Sequence, residues 1–269
     1  MPRPGSPADP QLMAIRIGIA GIRGRMGSEI AALANNDQRM TLIGGLSRQA
    51  RATESGPDGV RLFADVAELL PEIDVLIDFS APEGTVDHAA ACASAGVPMV
   101  CGTTGIDVAQ MAALRAAAER VAVFHAANMS PAVNAVLAVL PALVRALRGC
   151  DVEIVEAHHR HKADAPSGTA LALARAVAEA RGGHVEGRMR HGRQGASRRE
   201  ADKIGIHAIR AGGNPGEHTV ILASEGEELR LSHRAFSRAS YAEGAMRAAR
   251  LIVDQPPGWY DPATLPGFL

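Results

Sequence analysis

Cysteine is scarce: Cys92, Cys101 and Cys150 are the only three in 269 residues. They form no CxxC pair and their odd number argues against a disulfide framework, so a reducing, cytoplasmic setting is expected. Excess charge of one sign is also missing, since 28 Lys and Arg stand against 29 Asp and Glu. Acids and bases that balance and intermix give no general electrostatic case for binding nucleic acid or a membrane surface. The one basic stretch, residues 188–199 (RMRHGRQGASRR), reads by itself as a solvated, mobile loop. No secretory apolar core occurs in the first dozen residues, MPRPGSPADPQL, which read as a disordered tail over 1–12. The longest uncharged run, residues 121–144, has about the length of a membrane span, but Asn128, Ser130, Pro131, Asn134 and Pro141 interrupt it. It reads as a strand, a loop and a buried helix.

What is present in quantity is apolar sequence, 47% of the chain, ample for one large or two ordinary domains. Residues 15–20 (IRIGIA) form a short apolar run stopped by Gly21, and a helical segment follows from Ser28. Residues 40–46, 73–79, 97–101 and 121–124 repeat the short buried-strand pattern, with alanine-rich helical segments at 82–95 and 107–120. This alternation predicts a Rossmann-type parallel sheet with helices on both faces. Beyond Ser130 the rhythm changes: a helix over 132–147, a strand over 151–155, a helix over 168–181, then strands at 204–209, 218–223 and 228–233 joined by turns such as AGGNPGE. The pattern predicts an α+β second domain whose open sheet is mainly antiparallel and covered on one face by two helices. A last helix spans about 238–255 and leads into a tail with the single tryptophan, Trp259.

Between the first strand and its helix lies GIRGRMG, residues 21–27, with glycines where a backbone turns tightly and approaches a pyrophosphate. The spacing departs from GxGxxG, because Arg23 takes the usual second glycine position, and an ordinary βα turn is the competing reading. At the end of the second strand, Ser47 and Arg48 stand where a carboxylate would select NADH. A hydroxyl and a guanidinium suit a 2′-phosphate, so NADPH is expected to serve at least as well as NADH, unless Arg48 merely faces solvent. Two loops at carboxyl ends of later strands, Gly102-Thr103-Thr104-Gly105 and Ala126-Ala127-Asn128-Met129, offer small residues to a nicotinamide ring.

The densest chemistry is EAHHRHKADAPSGTA, residues 156–170. His158, His159 and His161 with Asp164 invite a metal reading, but adjacent histidines diverge and Lys162 would place a cation beside the ion, so no metal is expected. Acid/base work is the alternative, with a histidine that titrates near neutrality and a lysine that donates a proton or holds an anion. Ser167 is a plausible N-cap, and the amides of Gly168 and Thr169 then form an anion site for a carboxylate. Surface histidines beside a plain cap are the structural alternative.

These residues resemble the 4-hydroxy-tetrahydrodipicolinate (dihydrodipicolinate) reductases. The signature at 156–170 is joined, in the family's order, by GRMG, IDFS with PEG, GTTG, AAN with Ser130, and RAG with GEHT, over residues 15–249. The resemblance implies a dinucleotide-binding domain over 13–129 and 240–269. It implies a substrate-binding and oligomerisation domain over 130–239, usually within a homotetramer. It also implies reduction of a cyclic dicarboxylate by NAD(P)H with loss of water, in lysine and diaminopimelate synthesis. By position, His158 matches the acid/base residue and Lys162 the proton donor, while His159, Gly168 and Thr169 match substrate contacts. The cofactor segment maps to Gly21, Ile22, Arg23, Gly24, Arg25 and Met26, with Ser47 and Arg48 at the ribose. Gly102, Thr103 and Thr104, with Ala126, Ala127, Asn128 and Met129, lie near the nicotinamide. His125, His161 and residues 188–199 receive no role. Another NAD(P)-dependent reductase of a small dicarboxylate, a non-catalytic dinucleotide sensor and a metal-dependent hydrolase are the competing readings.

Overall fold

A computed structural model describes residues 14–47, 55–56 and 59–269. The tail over 1–12 and Arg48 lie outside the described residues. The chain divides into two compact units, one running through His125 and including Ala245–Tyr260, the other comprising Ala126–Gly244 and Asp261–Leu269.

The first unit is built on seven parallel strands. Strand β1 (Ile15–Ala20) is followed by α1 (Arg25–Ala34) and β2 (Met40–Leu46). The short β3 (Leu62–Phe63) and α2 (Val66–Leu69) precede β4 (Val75–Asp78). Then come α3 (Pro82–Ala95), β5 (Met99–Cys101), α4 (Val108–Ala118) and β6 (Ala122–His125). Their spatial order is β12-β6-β5-β4-β1-β2-β3, where β12 is Gly258–Tyr260 from the C-terminal tail. The strands are short and apolar because both faces are covered: all four residues of β4 and all three of β5 are buried. Helix starts obey local chemistry. Asp107 and Gln110 form a reciprocal capping box on α4, and α3 begins with Pro82 and ends at Gly96 in the left-handed region (φ 74°). One cluster, including Leu69, Leu76, Met99, Leu114 and Val123, forms a core on the α3/α4 side of the sheet.

The tail's part in this sheet was not visible in its sequence. Trp259 pairs alongside Val123; Arg115 stands over its ring at 4.3 Å from the centroid, and the His125 ring is 5.6 Å away. His125 is thereby accounted for as a packing residue at the end of β6, and burial lowers its pKa.

In the second unit, α5 (Pro131–Ala146) leads to β7 (Asp151–His158), α6 (Gly168–Ala180) and β8 (Met189–His191). Strands β9 (Ile204–Arg210), β10 (Glu217–Ala223) and β11 (Glu228–Arg234) come next, and helix α7 (Ala239–Ile252) begins in this unit and continues into the first from Ala245. The sheet order is β11-β10-β7-β9-β8. This sheet is mixed, which corrects the expectation of a mainly antiparallel one: β10 is antiparallel to β11 and β7, while β9 is parallel to both β7 and β8. The cause is topological. Helix α6 carries the chain back over one face, as a crossover between parallel strands must. The AGGNPGE turn joins β9 to β10, which are not neighbours but flank β7 on either side. It therefore arches over the end of β7, and only β10 and β11 form a true hairpin.

Leu140 and Val144 of α5 and Leu173 and Val177 of α6 pack on Val152, Ile154, Ile204, Ile206, Val220 and Leu222. Both helices therefore cover one face. The basic stretch is also more structured than a solvated loop: it contains β8, and Arg193 and Arg199 grip Glu153 at 2.7 and 2.6 Å. Among the described residues, no helix is long and apolar enough to cross a membrane.

Candidate functional site

In the first unit the strand order reverses between β1 and β4, and open parallel sheets bind ligands at the carboxyl ends flanking such a reversal. The glycine turn is there. Gly21 has φ 79°, and a Cβ on it would come 2.6 Å from the Phe79 carbonyl oxygen. A Cβ on Gly27 would fall 2.2 Å from Gly21 O. Gly24 donates its N–H to Gly21 O at 2.8 Å and caps α1 without any side-chain hydrogen bond. The first-turn amides of α1 therefore have neither an intrahelical acceptor nor a capping oxygen, a fit for pyrophosphate. Within this predicted segment Arg23, Gly24 and Arg25 are exposed and Met26 half-buried, whereas Ile22 is fully buried. Ile22 packs so closely on Gly45 of β2 that a Cβ there would lie 2.4 Å from its Cδ1. Ser47, just past β2, donates its amide to Phe63 O at 3.1 Å.

Gly102 and Thr103 follow β5 and are buried, while Thr104 is exposed. A Cβ on Gly102 would meet the Phe79 ring at 2.2 Å, so this loop must run flat against that ring. The Thr103 hydroxyl turns inward, bonding Thr85 Oγ1 at 2.9 Å and Asp78 Oδ1 at 3.1 Å. Asp78, fully buried, is a centre that sequence reasoning missed. It also accepts from the Ser80 amide (2.8 Å) and hydroxyl (2.7 Å), and its other oxygen meets His88 Nδ1 at 2.7 Å. An acid ending a fully buried strand was the available signal.

In the second unit, β7 runs three residues further than its apolar alternation suggested, because its inward phase continues from Val152 and Ile154 into Glu156 and His158. His158 Nδ1 meets Glu156 Oε2 at 2.6 Å. Arg210 of β9 forks the same carboxylate at 2.7 and 2.8 Å, and the Ser167 amide donates to Oε1 at 3.0 Å. Burial pushes the Glu156 carboxyl up, but Arg210, His158 and the Ser167 amide outweigh it and hold it below the ordinary value. For His158 burial dominates and lowers the pKa despite Glu156. His158 is therefore a neutral imidazole near pH 7 and suited to exchange a proton.

The AGGNPGE turn fastens the residues that leave β7. Ala211 N–H donates to His158 O (3.0 Å), Arg160 N–H to Gly212 O (3.1 Å) and His159 N–H to Asn214 O (2.8 Å). His159 Nδ1 is buried with no hydrogen-bond partner among the described residues, an orphan that a carboxylate would satisfy. Lys162 donates to both oxygens of the exposed Asp164 at 2.8 Å. His161 is exposed, with its ring 6.3 Å from that of His159.

Ser167 caps α6, its hydroxyl accepting from Ala170 N–H at 3.2 Å, which leaves the Gly168 and Thr169 amides in a first turn without intrahelical acceptors. The same hydroxyl meets His218 Nε2 at 3.0 Å. Asn128 belongs to this unit and donates to Thr169 Oγ1 at 2.9 Å. Ala126 and Met129 are buried, and Ala127 is exposed. The second unit thus brings His158, Lys162, His159, Gly168, Thr169 and Asn128 to one end of its sheet. Glu156, Arg210 and His218 were missed as partners because their pairing depends on strand register, although Glu156 stands on the inward phase of β7. Among the described residues, no group of three or more His, Cys, Asp and Glu is arranged to hold a metal ion.

A parallel sheet with a glycine turn at its reversal point, and a separate unit with a buried histidine beside a helix N-terminus, define a two-domain, dinucleotide-dependent oxidoreductase. Comparison with known proteins narrows the class. The chain matches the family models for the N-terminus of dihydrodipicolinate reductase over residues 15–129 and its C-terminus over 132–265. The 4-hydroxy-tetrahydrodipicolinate reductase of Thiobacillus denitrificans is 42% identical over 93% of this chain and 97% of its own length. That of Rubrobacter xylanophilus is 45% identical over 91% and 96%. A dipicolinate-bound dihydrodipicolinate reductase from Paenisporosarcina sp. TG-14 superposes with TM-score 0.77 at 27% identity, covering 93% of this chain and 98% of that one. The chain belongs to the dihydrodipicolinate reductase family.

Proposed function

We propose that the protein reduces 4-hydroxy-tetrahydrodipicolinate to tetrahydrodipicolinate, releasing water and consuming NAD(P)H and one proton, in the synthesis of diaminopimelate and lysine. The observation that carries this reading is the buried cluster in which Glu156 joins His158 to the N-terminus of α6. It combines a proton-exchanging imidazole with an amide cradle, the requirements of a carboxylated substrate whose reduction moves protons.

Residues 13–129 and 240–269 are assigned to dinucleotide binding, and 130–239 to substrate binding and oligomerisation, although residues 126–129, 240–244 and 261–269 cluster with the second unit. The amides after Gly24, with Gly21, Ile22, Arg23, Arg25 and Met26, would hold the pyrophosphate. When bound, NAD(P)H supplies the hydride. Gly102, Thr103 and Thr104 would border the nicotinamide, together with Ala126, Ala127, Asn128 and Met129. Ser47 and Arg48 present no repelling carboxylate to a 2′-phosphate, which supports NADPH being used at least as well as NADH. Gly168, Thr169 and His159 hold substrate carboxylate oxygens. The amides lie at the positive end of α6, and the orphan Nδ1 of His159 adds a donor. His158 Nε2 exchanges a proton with the substrate, and Lys162 donates the one proton that the reaction consumes.

A cytoplasmic homotetramer assembled through the second sheet is part of the same reading. Its support is the face away from α5 and α6, where Val155 and Ile221 are half-buried and Ile209 is 49% exposed. Light scattering should then give four times the 28.0 kDa chain mass. The activity itself is tested by adding the synthase product to the protein with NADPH or NADH and following nucleotide oxidation. Oxidation that depends on that product supports the reading; none with either nucleotide opposes it.

A further inference from the structure

We propose that Glu156, gripped by Arg210, is a positioning residue that locks the proton-handling and carboxylate-binding halves of the site into one hydrogen-bonded piece. The inference rests on the function proposed above for its catalytic consequence, but not for its structural one.

The carboxylate is fully buried and each of its oxygens has a different client. Oε2 meets His158 Nδ1 at 2.6 Å, and Oε1 accepts the Ser167 amide at 3.0 Å, at the residue that starts α6. Arg210 adds one bond to each oxygen, Nη1 to Oε2 at 2.7 Å and Nη2 to Oε1 at 2.8 Å. Four bonds fill the four lone-pair directions of an ionised carboxylate, so the group is fixed on both sides. Arg210 Nη2 also donates to the Asp164 carbonyl at 2.6 Å, tethering the loop that carries Lys162. His158, the α6 N-terminus and the Lys162 loop thus converge on one ion pair.

An ionised carboxylate can only accept. The proton on the neutral His158 ring must then sit on Nδ1, which leaves the Nε2 lone pair for the substrate. Glutamine at position 156 keeps the shape but replaces one acceptor by a donor. Facing His158, that amide would favour the opposite tautomer, with Nδ1 accepting and Nε2 already protonated. A tautomer set wrongly by a neutral substitute is costly in other histidine-dependent enzymes. Here a loss of about one hundred-fold in turnover is expected, of the order seen when partners outside the reacting shell are removed.

The test is long-range ¹H–¹⁵N NMR of the imidazoles near pH 7.5, with His158 assigned by its absence in His158→Gln, joined to steady-state kinetics of Glu156→Gln. The proposal expects Nδ1–H in the wild type and Nε2–H in Glu156→Gln. It also expects about one hundred-fold lower turnover in the variant and NADPH affinity unchanged within about twofold. An Nε2–H tautomer in the wild type overturns it, as does a variant with wild-type tautomer or near-normal turnover. Should Glu156→Gln not fold, the wild-type spectrum alone decides. A wild type inactive on the synthase product would count against the proposed function, while the tautomer would still be read.

Discussion

His218 offers a quantitative test of how the second unit is assembled. The residue is 4% exposed, Nε2 meets Ser167 Oγ at 3.0 Å, and the His158 ring stands edge-on at 5.1 Å. Burial, followed by the proximity of His158, lowers its pKa from 6.5 to about 3, Glu156 offsetting this only in part. An unfolded chain would protonate this histidine first. The stability from keeping it neutral is therefore complete above pH 6.5 and declines as pH falls towards 3. At pH 5, roughly 1.5 pH units below the ordinary histidine value, the loss is about 2 kcal/mol. His218→Gln retains a group able to bond Ser167 but removes the titration. Urea unfolding at pH 7.5 and pH 5 should show the wild type losing about 2 kcal/mol more than the variant between the two conditions, a midpoint difference of about 1 M. Because His158 and His233 also have lowered values, the comparison is between proteins and not between pH values alone. Parallel losses in the two proteins would show that His218 does not carry this pH dependence.

Other expectations rest on the same geometry. His158→Gln should lower turnover far more than it weakens NADPH binding, and near-normal kcat would remove His158 from the mechanism. Gly27→Ala forces a methyl onto the backbone of Gly21 and Ile22, so it should cost about 3 kcal/mol in denaturant unfolding and abolish nucleotide binding measured by calorimetry. Ser47→Asp introduces the missing carboxylate and should lower kcat/KM for NADPH relative to NADH by at least about tenfold. Asp78→Ala strands the hydroxyls of Ser80, Thr85 and Thr103 and the His88 ring, so a loss of about 2–3 kcal/mol is expected from thermal or urea denaturation.

Short apolar runs punctuated by glycine made the parallel sheet readable from sequence, because a strand buried on both faces can be little else at that length. The dense stretch at 156–170 was readable because its residue types are reactive and its helix cap is a local signal. Glu156 lay within that stretch, yet its role depends on Arg210, 54 residues later, brought alongside by the β7–β9 register. Asp78 and Thr103 meet for the same reason, across adjacent strands. The mixed second sheet escaped a local reading because AGGNPGE has the composition of a hairpin turn but skips over β7. The strand formed by the tail escaped because Gly258–Tyr260 gains its identity only by pairing with β6.

The most direct test of the central claim is a single-turnover experiment with NADPH deuterated at the transferable position of the nicotinamide, wild-type protein and freshly generated synthase product, analysed by mass spectrometry. One deuterium is expected in a tetrahydrodipicolinate product that has lost the hydroxyl as water, formed at a rate that falls sharply in His158→Gln. Nucleotide oxidation without deuterium in that product, or no product from the wild-type protein, would contradict it.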